Sequence, residues 1–118
     1  MKFLCLGYFD VEAFGAVPEA DRDAVMKVCY AMCIPFRATG KVIEEGELGG
    51  ASSAKCIRTR KGKQTVTDGP FIETKEQVGG FFIVEADSMD EAIKVASMHP
   101  GAVMGEHYGF AIEVRPFH

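Results

Sequence analysis

The pattern of hydrophobic and polar positions along the 118 residues predicts alternating strands and helices. The apolar run at residues 2–8 is too short for a buried helix and predicts a first strand. After a connection at residues 9–18, apolar residues recur at helical spacing, which predicts a helix that begins near Pro18. Pro35 falls inside this helical pattern. Because its ring clashes with the preceding turn, we expect the helix to end or kink near Cys33.

The middle of the chain has the pattern of a β-hairpin. Residues 44–50 form a short polar strand or turn that ends in two glycines. Residues 53–59 and 63–67 have the pattern of two strands, and Lys61-Gly62 between them is typical of a tight turn.

The remaining elements lie in the second half of the chain. Residues 81–86 combine aromatic and β-branched side chains, so we expect this strand to be central in the sheet. Ser88 and Glu91 have the spacing of a capping box, which predicts that a second helix begins there. A Pro-Gly pair at 100–101 should stop that helix. Residues 109–115 alternate in polarity and predict the last strand.

This order of elements predicts an α+β fold, a ferredoxin-like split βαβ with an extra β-hairpin. Right-handed crossovers would place two helices on one face of an antiparallel sheet. Phe81 and Ile83 point to one face of the central strand, whereas Phe82 and Val84 point to the other. The face without helices therefore carries apolar side chains. We expect a second copy of the chain to cover it, in a homodimer.

A loop between the hairpin and the central strand holds the first candidate for chemistry. Gly69 and Pro70 cannot continue a strand, so the chain must turn sharply after Thr67. Asp68 stands at this strand end, where a carboxylate can act as a base or accept a hydrogen bond from a ligand. The alternative is that Asp68 caps its own turn by accepting backbone N–H bonds.

His107 is the second candidate for a catalytic residue. It lies just before the last strand with glycines on both sides, and its neighbour in the chain is a carboxylate. If the entrance of the last strand lies near the loop, His107 and Asp68 would meet across one pocket. His99, at the end of the second helix, is more simply explained as a helix cap.

Three further residues are candidates for ligand binding. Glu73 and Lys75 would form the polar rim of a pocket, or they belong to a solvated loop in which ion pairs are common and weak. Arg115 would anchor a carboxylate ligand, or it forms an ion pair at a dimer interface. The predicted site thus has Asp68 and His107 as catalytic residues and these three as ligand-binding residues.

Composition narrows the classes of function. The net charge is -4 and neither sign forms a long block, which argues against nucleic acid as the main partner. The basic stretch at residues 58–63 is more simply a solvated hairpin tip than a phosphate-binding patch. The chain has no phosphate-binding glycine motif, nucleophile elbow or metal-ligand cluster, so we expect no cofactor and no metal. We expect Cys5, Cys29, Cys33 and Cys56 to be free thiols.

Length and hydropathy also bear on location. Gly7 and Asp10 interrupt the N-terminal apolar run too early for the core of a signal peptide. No run approaches the length of a membrane span, so we expect no membrane partner. The sequence therefore predicts one domain, residues 1–118, in the cytoplasm.

The loop also carries a family resemblance. Asp68-Gly69-Pro70-Phe71, Glu73-Thr74-Lys75-Glu76 and Gly79-Gly80-Phe81 resemble the signature of the DGPF-domain branch of the YCII-related proteins. The likeness extends to Asp90-Glu91-Ala92 and Glu113-Val114-Arg115-Pro116. This resemblance implies a small dimeric domain of the α+β barrel type, often encoded beside extracytoplasmic-function sigma factors, and no known reaction. Relatives in the wider superfamily carry a His-Asp pair in a cavity and include enzymes of aromatic-ring breakdown.

Two classes of function stay open. The first is a cofactor-free enzyme or binding protein for a small polar or aromatic molecule, with a pocket between the helices, the open sheet face and the loop. The second is a dimeric regulatory or interaction protein without chemistry, associated with sigma-factor signalling. Fold analogy does not choose between them. A cavity lined by Asp68, His107 and Arg115 together would favour the first.

Overall fold

The computed structural model describes residues 1–118 and has one four-stranded sheet, one separate hairpin and five α-helices. None of the helices is both long enough and apolar enough to cross a membrane. The elements in chain order are β1 (Lys2–Asp10), α1 (Val11–Gly15), α2 (Glu19–Ala38), β2 (Val42–Glu47), β3 (Lys55–Arg60), β4 (Lys63–Asp68), β5 (Glu76–Glu85), α3 (Met89–Ala96), α4 (Pro100–Val103), α5 (Gly105–Tyr108) and β6 (Phe110–Pro116).

The four-stranded sheet has the order β2-β5-β1-β6, and all neighbouring strands are antiparallel. This is the strand order of a ferredoxin-like split βαβ unit, so the predicted fold class is confirmed. The β3–β4 hairpin is inserted between β2 and β5 and forms its own two-stranded sheet. Because β5 lies between β2 and β1, the prediction of a central strand at residues 81–86 is also confirmed.

The core lies between one face of the sheet and the helices. Phe3 pairs with Val84 and Cys5 with Phe82 across β1 and β5, and all four side chains are buried. Phe36 of α2 is fully buried, and its ring centroid lies 4.9 Å from that of Phe82 in an edge-to-face arrangement. Burial of large apolar side chains is the main favourable term in folding, so this layer fixes α2 over the sheet. The end of β5 and α3 supply the remaining core residues, Ala86, Ala92, Val95 and Ala96.

The opposite face of the sheet carries no helix. Leu4 pairs with Ile83 and Leu6 pairs with Phe81, so these side chains alternate with the core residues and point away from the helices. The sequence did not decide whether Phe81 and Ile83 or Phe82 and Val84 lie on the face without helices. In the structure, Phe81 and Ile83 lie there.

The prediction that Pro35 ends or kinks the first helix near Cys33 is wrong about the helix end. α2 continues through Pro35 to Ala38. Pro35 itself is exposed, whereas Phe36 beside it is fully buried. Arg37 forms two hydrogen bonds of 2.7 Å with Glu45 of β2. These contacts hold the last turn in place, although Pro35 removes one backbone hydrogen bond from it.

Three other boundaries differ from the sequence-based prediction. The connection at residues 9–18 contains the short helix α1. The strand predicted at residues 81–86 is longer at its start: β5 begins at Glu76. Gly80 lies inside the strand, where it pairs with Gly7 of β1 and with Glu47 of β2. Pro100 is the first residue of α4, where a missing N–H costs nothing, and α3 has already ended at Ala96.

The β3–β4 hairpin projects from the domain as an arm. Its strands pair with each other from Lys55 and Asp68 at the base to Arg60 and Lys63 at the tip. Ile57 and Val66 pair in the middle of the arm, yet they are 68% and 64% exposed. The radius of gyration is 16.1 Å, larger than the roughly 13 to 14 Å of a compact domain of this length. The arm therefore presents apolar residues that the rest of the chain does not cover.

The position of the core can be tested with two phenylalanines. Phe3→Ala should lower the free energy of unfolding by about 3 to 5 kcal/mol, because it removes a fully buried ring and leaves a cavity. Phe117→Ala, at a half-exposed side chain, should lower it by about 1 kcal/mol or less. Urea denaturation followed by circular dichroism measures both. Equal losses in the two variants would contradict the described core.

Candidate functional site

A cleft of about 630 Å³ opens between α2, the sheet and the start of α4. Its floor lies where Gly7 of β1 pairs with Gly80 of β5, so neither of these residues places a side chain above the sheet. A Cβ atom at Gly7 would meet nothing closer than the Gly80 carbonyl oxygen at 3.5 Å, an ordinary contact. The glycine at position 7 thus leaves space open and does not relieve a clash.

Aromatic rings form much of the cleft wall. Phe14 of α1 stands between Phe9 and Phe110, with ring centroids at 6.4 Å and 5.6 Å. A mainly apolar cleft of this volume is suited to a small ring compound, with a few polar groups to orient it. The aromatic residues that line the cleft from the helices and from the helix-covered sheet face are Phe9, Phe14, Tyr30, Phe82 and Phe110.

His99 supplies a polar group at this cleft. Its Nδ1 accepts a hydrogen bond of 2.9 Å from the N–H of Gly101, and His99 is thereby the N-cap of α4. From this bond we infer that the neutral imidazole carries its proton on Nε2. The chain supplies no acceptor for that Nε2–H. The ring stacks on Phe82 at 4.8 Å and meets Phe36 edge-on at 5.1 Å, so its orientation is fixed.

Burial lowers the pKa of His99, because the cleft solvates an imidazolium less well than water does. The carboxylate of Glu45 opposes this effect, and the positive charge of Arg37 adds to it. Folding therefore favours the neutral imidazole. A neutral histidine can donate one hydrogen bond from Nε2, and it can exchange a proton near physiological pH.

An ion pair between α2 and β2 lies in the same wall. Arg37 donates from Nε and Nη2 to the two carboxylate oxygens of Glu45, each at 2.7 Å. These hydrogen bonds are the main reason that the pKa of Arg37 is raised and the pKa of Glu45 is lowered. Both donors on this side of the guanidinium are occupied, so Arg37 is not a free anchor for an anion.

Two cysteines of α2, Cys29 and Cys33, also line the cleft. Burial raises the pKa of both thiols. At Cys33, Arg37 opposes this rise, whereas Glu45 and Glu47 add to it. Because the thiolate is the nucleophilic form, these thiols are poorly suited to covalent chemistry. No group of three or more His, Cys, Asp or Glu side chains is arranged to hold a metal ion.

None of the five site residues predicted from the sequence lines this cleft. Asp68 ends β4 with its side chain 83% exposed. Its carboxylate accepts a hydrogen bond from Nζ of Lys55 across the hairpin, and the backbone of its own turn donates none to it. Glu73 is exposed in the loop and His107 is exposed on α5. Asp68 and His107 form no hydrogen bond with each other, so their joint catalytic role stays a prediction.

Lys75 and Arg115 lie on opposite sides of β1. Nζ of Lys75 is 3.4 Å from a carboxylate oxygen of Asp10 and 3.7 Å from one of Glu12, at the start of α1. Arg115 is exposed on β6, opposite Leu4 and on the sheet face without helices. Lys75 thus holds the loop to α1, and Arg115 lies on the face that the sequence-based prediction assigns to a second copy of the chain. Ligand binding by either residue stays a prediction.

The sequence did not identify His99, Arg37 and Glu45 as site residues. His99 was interpreted as a helix cap, and it does cap a helix, namely α4, through Nδ1. The candidate site depends on the other ring nitrogen, Nε2, and interpreting His99 as a helix cap gives no role to that atom. A usable signal was present in the strands, because glycines such as Gly7 and Gly80 inside apolar strands often mark a close approach of a ligand or backbone.

Comparison with known proteins gives the family and supports the fold. The family model of the YCII-related domain matches residues 1–117. An uncharacterised protein of Rhizobium meliloti (strain 1021) is 32% identical over 96 residues, which cover 81% of this chain and 77% of that protein. The solved structure of the 5-chloro-2-hydroxyhydroquinone dehydrochlorinase TftG from Burkholderia phenoliruptrix AC1100, in complex with 2,5-dihydroxybenzoquinone, matches with a TM-score of 0.55 at 20% identity. That match covers 100% of this chain and 94% of the other. At this identity the likeness shows the fold alone.

His99 should make the protein less stable as the pH falls from about 7.5 to 5.5. Its pKa is lower in the folded chain than the ordinary value of 6.5. The unfolded chain therefore binds the proton more readily, and protonation shifts the equilibrium toward unfolding. This contribution to stability is complete above the unfolded pKa and is lost as the pH falls toward the folded pKa.

Urea denaturation at several pH values tests this dependence. His99→Asn keeps an oxygen acceptor for the N–H of Gly101 but does not titrate, so the loss of stability across this range should become smaller. His118→Asn, at the exposed C terminus, is the matched control and should keep the wild-type dependence. Identical pH profiles for wild type and His99→Asn would show that His99 is not buried as described.

Proposed function

The chain belongs to the YCII-related family, and from that premise we propose that it binds a small aromatic molecule bearing an oxygen substituent in the cleft, without a nucleotide cofactor. The observation that carries this proposal is the Nε2–H of His99, which has no acceptor within the chain and lies in a cleft walled by aromatic rings. This donor is accessible from the cleft, because no buried side-chain nitrogen or oxygen lacks a hydrogen-bond partner, and a ligand oxygen can accept its hydrogen bond.

In this proposal the ligand ring packs above the floor of Gly7 and Gly80, and its oxygen accepts the hydrogen bond from His99. Burying one ring contributes on the order of 2 to 3 kcal/mol, and one net hydrogen bond contributes about 1 kcal/mol. A single-ring compound should therefore bind with a dissociation constant of roughly a millimolar. Binding this weak is suited to detection by NMR titration.

The compounds named with TftG support the choice of ligand class. Both 5-chloro-2-hydroxyhydroquinone and 2,5-dihydroxybenzoquinone are single six-membered rings with oxygen substituents. The proposal takes from TftG only this ligand class, because the low identity gives no basis for the same reaction.

The Asp68-Gly69-Pro70-Phe71 motif further supports placing the chain in the DGPF branch of the family. We also propose that the protein is located in the cytoplasm.

We also propose that two copies form a homodimer through the sheet face without helices. Leu4, Leu6, Phe81 and Ile83 give this face an apolar centre. The arm and the loop that follows β4 add exposed apolar residues, and a second copy would cover them as well. These are Ile57, Val66, Phe71 and Ile72.

The ligand proposal predicts different behaviour for two histidines. Hydroquinone should shift backbone amide signals of residues around Gly7 and Gly101 in a proton–nitrogen NMR titration. His99→Asn should weaken binding about fivefold or more, because the Nε2–H donor is lost. His107→Asn, an exposed histidine outside the cleft, is the matched control and should bind as wild type does. Loss of binding in His107→Asn with retention in His99→Asn would place the site at the sequence-predicted pair instead.

The dimer proposal predicts the mass in solution. Light scattering at micromolar concentration should give twice the chain mass of 12.8 kDa. Ile83→Lys should produce monomers, because it introduces a charge into the apolar centre of the interface. Ile93→Lys makes the same substitution on the exposed side of α3 and should leave the dimer intact. A strictly monomeric wild-type protein contradicts the proposal.

A further inference from the structure

We infer that the cleft discriminates against anionic aromatic molecules, and that Glu47 is the residue that sets this preference. The inference deepens the proposed function and rests on it, because it states the charge class of the ligand. An uncharged phenol, quinone or amide, or an aromatic cation, would be accepted, whereas an aromatic carboxylate would be disfavoured.

The formal charges in the cleft wall do not balance. Arg37, Glu45 and Glu47 are the acidic and basic residues that line it, and the wall contains no lysine. The two 2.7 Å hydrogen bonds pair Arg37 with Glu45. The carboxylate of Glu47, by contrast, forms no ion pair and no hydrogen bond within the chain. One negative charge is therefore left without a partner at the cleft.

The strand register brings Glu47 to the ligand space. Glu45 pairs with Phe82 and Glu47 pairs with Gly80, so both carboxylates belong to the sheet face that α2 covers. Gly80 has no side chain, and the neighbour of Glu47 across the strand is thus the open floor of the cleft. An aromatic ring above this floor would lie beside the Glu47 carboxylate.

The pKa of the Cys33 thiol indicates that the charge of Glu47 acts inside the cleft. Cys33 faces the cleft from α2, and burial is the main cause of its raised pKa. Arg37 opposes this rise, whereas Glu45 and Glu47 add to it. His99 provides no compensating cation, because burial favours its neutral form. A ligand anion would meet the same two carboxylates that Cys33 meets.

An anion would have to approach Glu47 or displace Glu45 from Arg37. The cleft is open to solvent, so water and salt weaken the repulsion without removing it. A carboxylate about 4 Å from a ligand anion repels it by about 1 kcal/mol in a water-like dielectric, and more where water is partly excluded, so anion binding should be about fivefold to tenfold weaker at low ionic strength.

Benzoate, benzamide and benzamidine test this inference, because they have nearly the same shape and are negative, neutral and positive. In an NMR titration at low salt, benzamide should bind about fivefold or more tightly than benzoate, and benzamidine at least as tightly as benzamide. Raising the salt to about 0.5 M should narrow these differences. Benzoate binding as tightly as benzamide, or more tightly, overturns the inference.

Two glutamate variants identify the responsible residue. Glu47→Gln should bring the affinity for benzoate to within about twofold of that for benzamide, because the unpaired charge is gone. Glu44→Gln removes the same charge from the same strand on the opposite sheet face, where Glu44 pairs with Ile83, and should keep the wild-type ratio. An unchanged ratio in Glu47→Gln overturns the role of Glu47.

The titrations also separate this inference from the proposed function. If neither hydroquinone nor any of the three compounds binds, the aromatic ligand and the charge preference both fail. If hydroquinone binds in a manner that depends on His99 while benzoate binds best, the proposed function stands and only the charge preference is overturned.

Discussion

The edge-to-face contact between Phe36 and Phe82 is the interaction on which the rest of this structure depends. It holds the C-terminal half of α2 against β5, with ring centroids 4.9 Å apart. With Phe36 fixed, the next residue, Arg37, reaches Glu45 on β2. The ring of His99 stacks on Phe82 and lies across from Phe36, so the same pair of rings orients the imidazole. One apolar contact thus places the three polar groups of the cleft.

The cleft exists because two neighbouring rows of the sheet differ in side-chain volume. In one row, Cys5, Phe82 and Val114 fill the space beneath the helices. In the next row, Gly7 and Gly80 have no side chains, and Ile112 beside Gly7 borders the space that they leave open. Protein interiors are normally packed to the density of organic crystals, so an unfilled row beside a filled one is a distinct feature. The filled row stabilises the fold, and the empty row creates room for a ligand.

The sequence predicted the fold well because the signals that determine it are local or periodic. The alternation in residues 109–115 and the Lys61-Gly62 turn each specify their elements without knowledge of distant contacts. The end of α2 could not be predicted, because burial of Phe36 and the bond to Glu45 outweigh the local effect of Pro35. Propensity is a weak prior wherever tertiary packing of this kind intervenes.

The candidate site was harder to predict than the fold, for a related reason. Its polar groups come from α2 and β2, which are consecutive in the chain, and from the start of α4, which lies far from both in sequence. No spacing rule relates Arg37 to His99. The sequence also drew attention to Asp68 because a charged loop beside a turn is a common place for function. In the structure that carboxylate pairs with Lys55 within the arm.

The loop nevertheless affects the cleft, through α1. The carbonyl oxygen of Lys75 accepts a hydrogen bond of 3.1 Å from the N–H of Val11, the first residue of α1. The carboxylate of Asp10 caps the same helix and lies 3.4 Å from Nζ of Lys75. α1 has only one turn and a half and no buried residues of its own, so such contacts determine where it lies. Its Phe14 is part of the aromatic wall. Lys75, which follows the Asp68-Gly69-Pro70-Phe71 motif, therefore shapes the cleft at a distance, by holding the helix that supplies one of its rings.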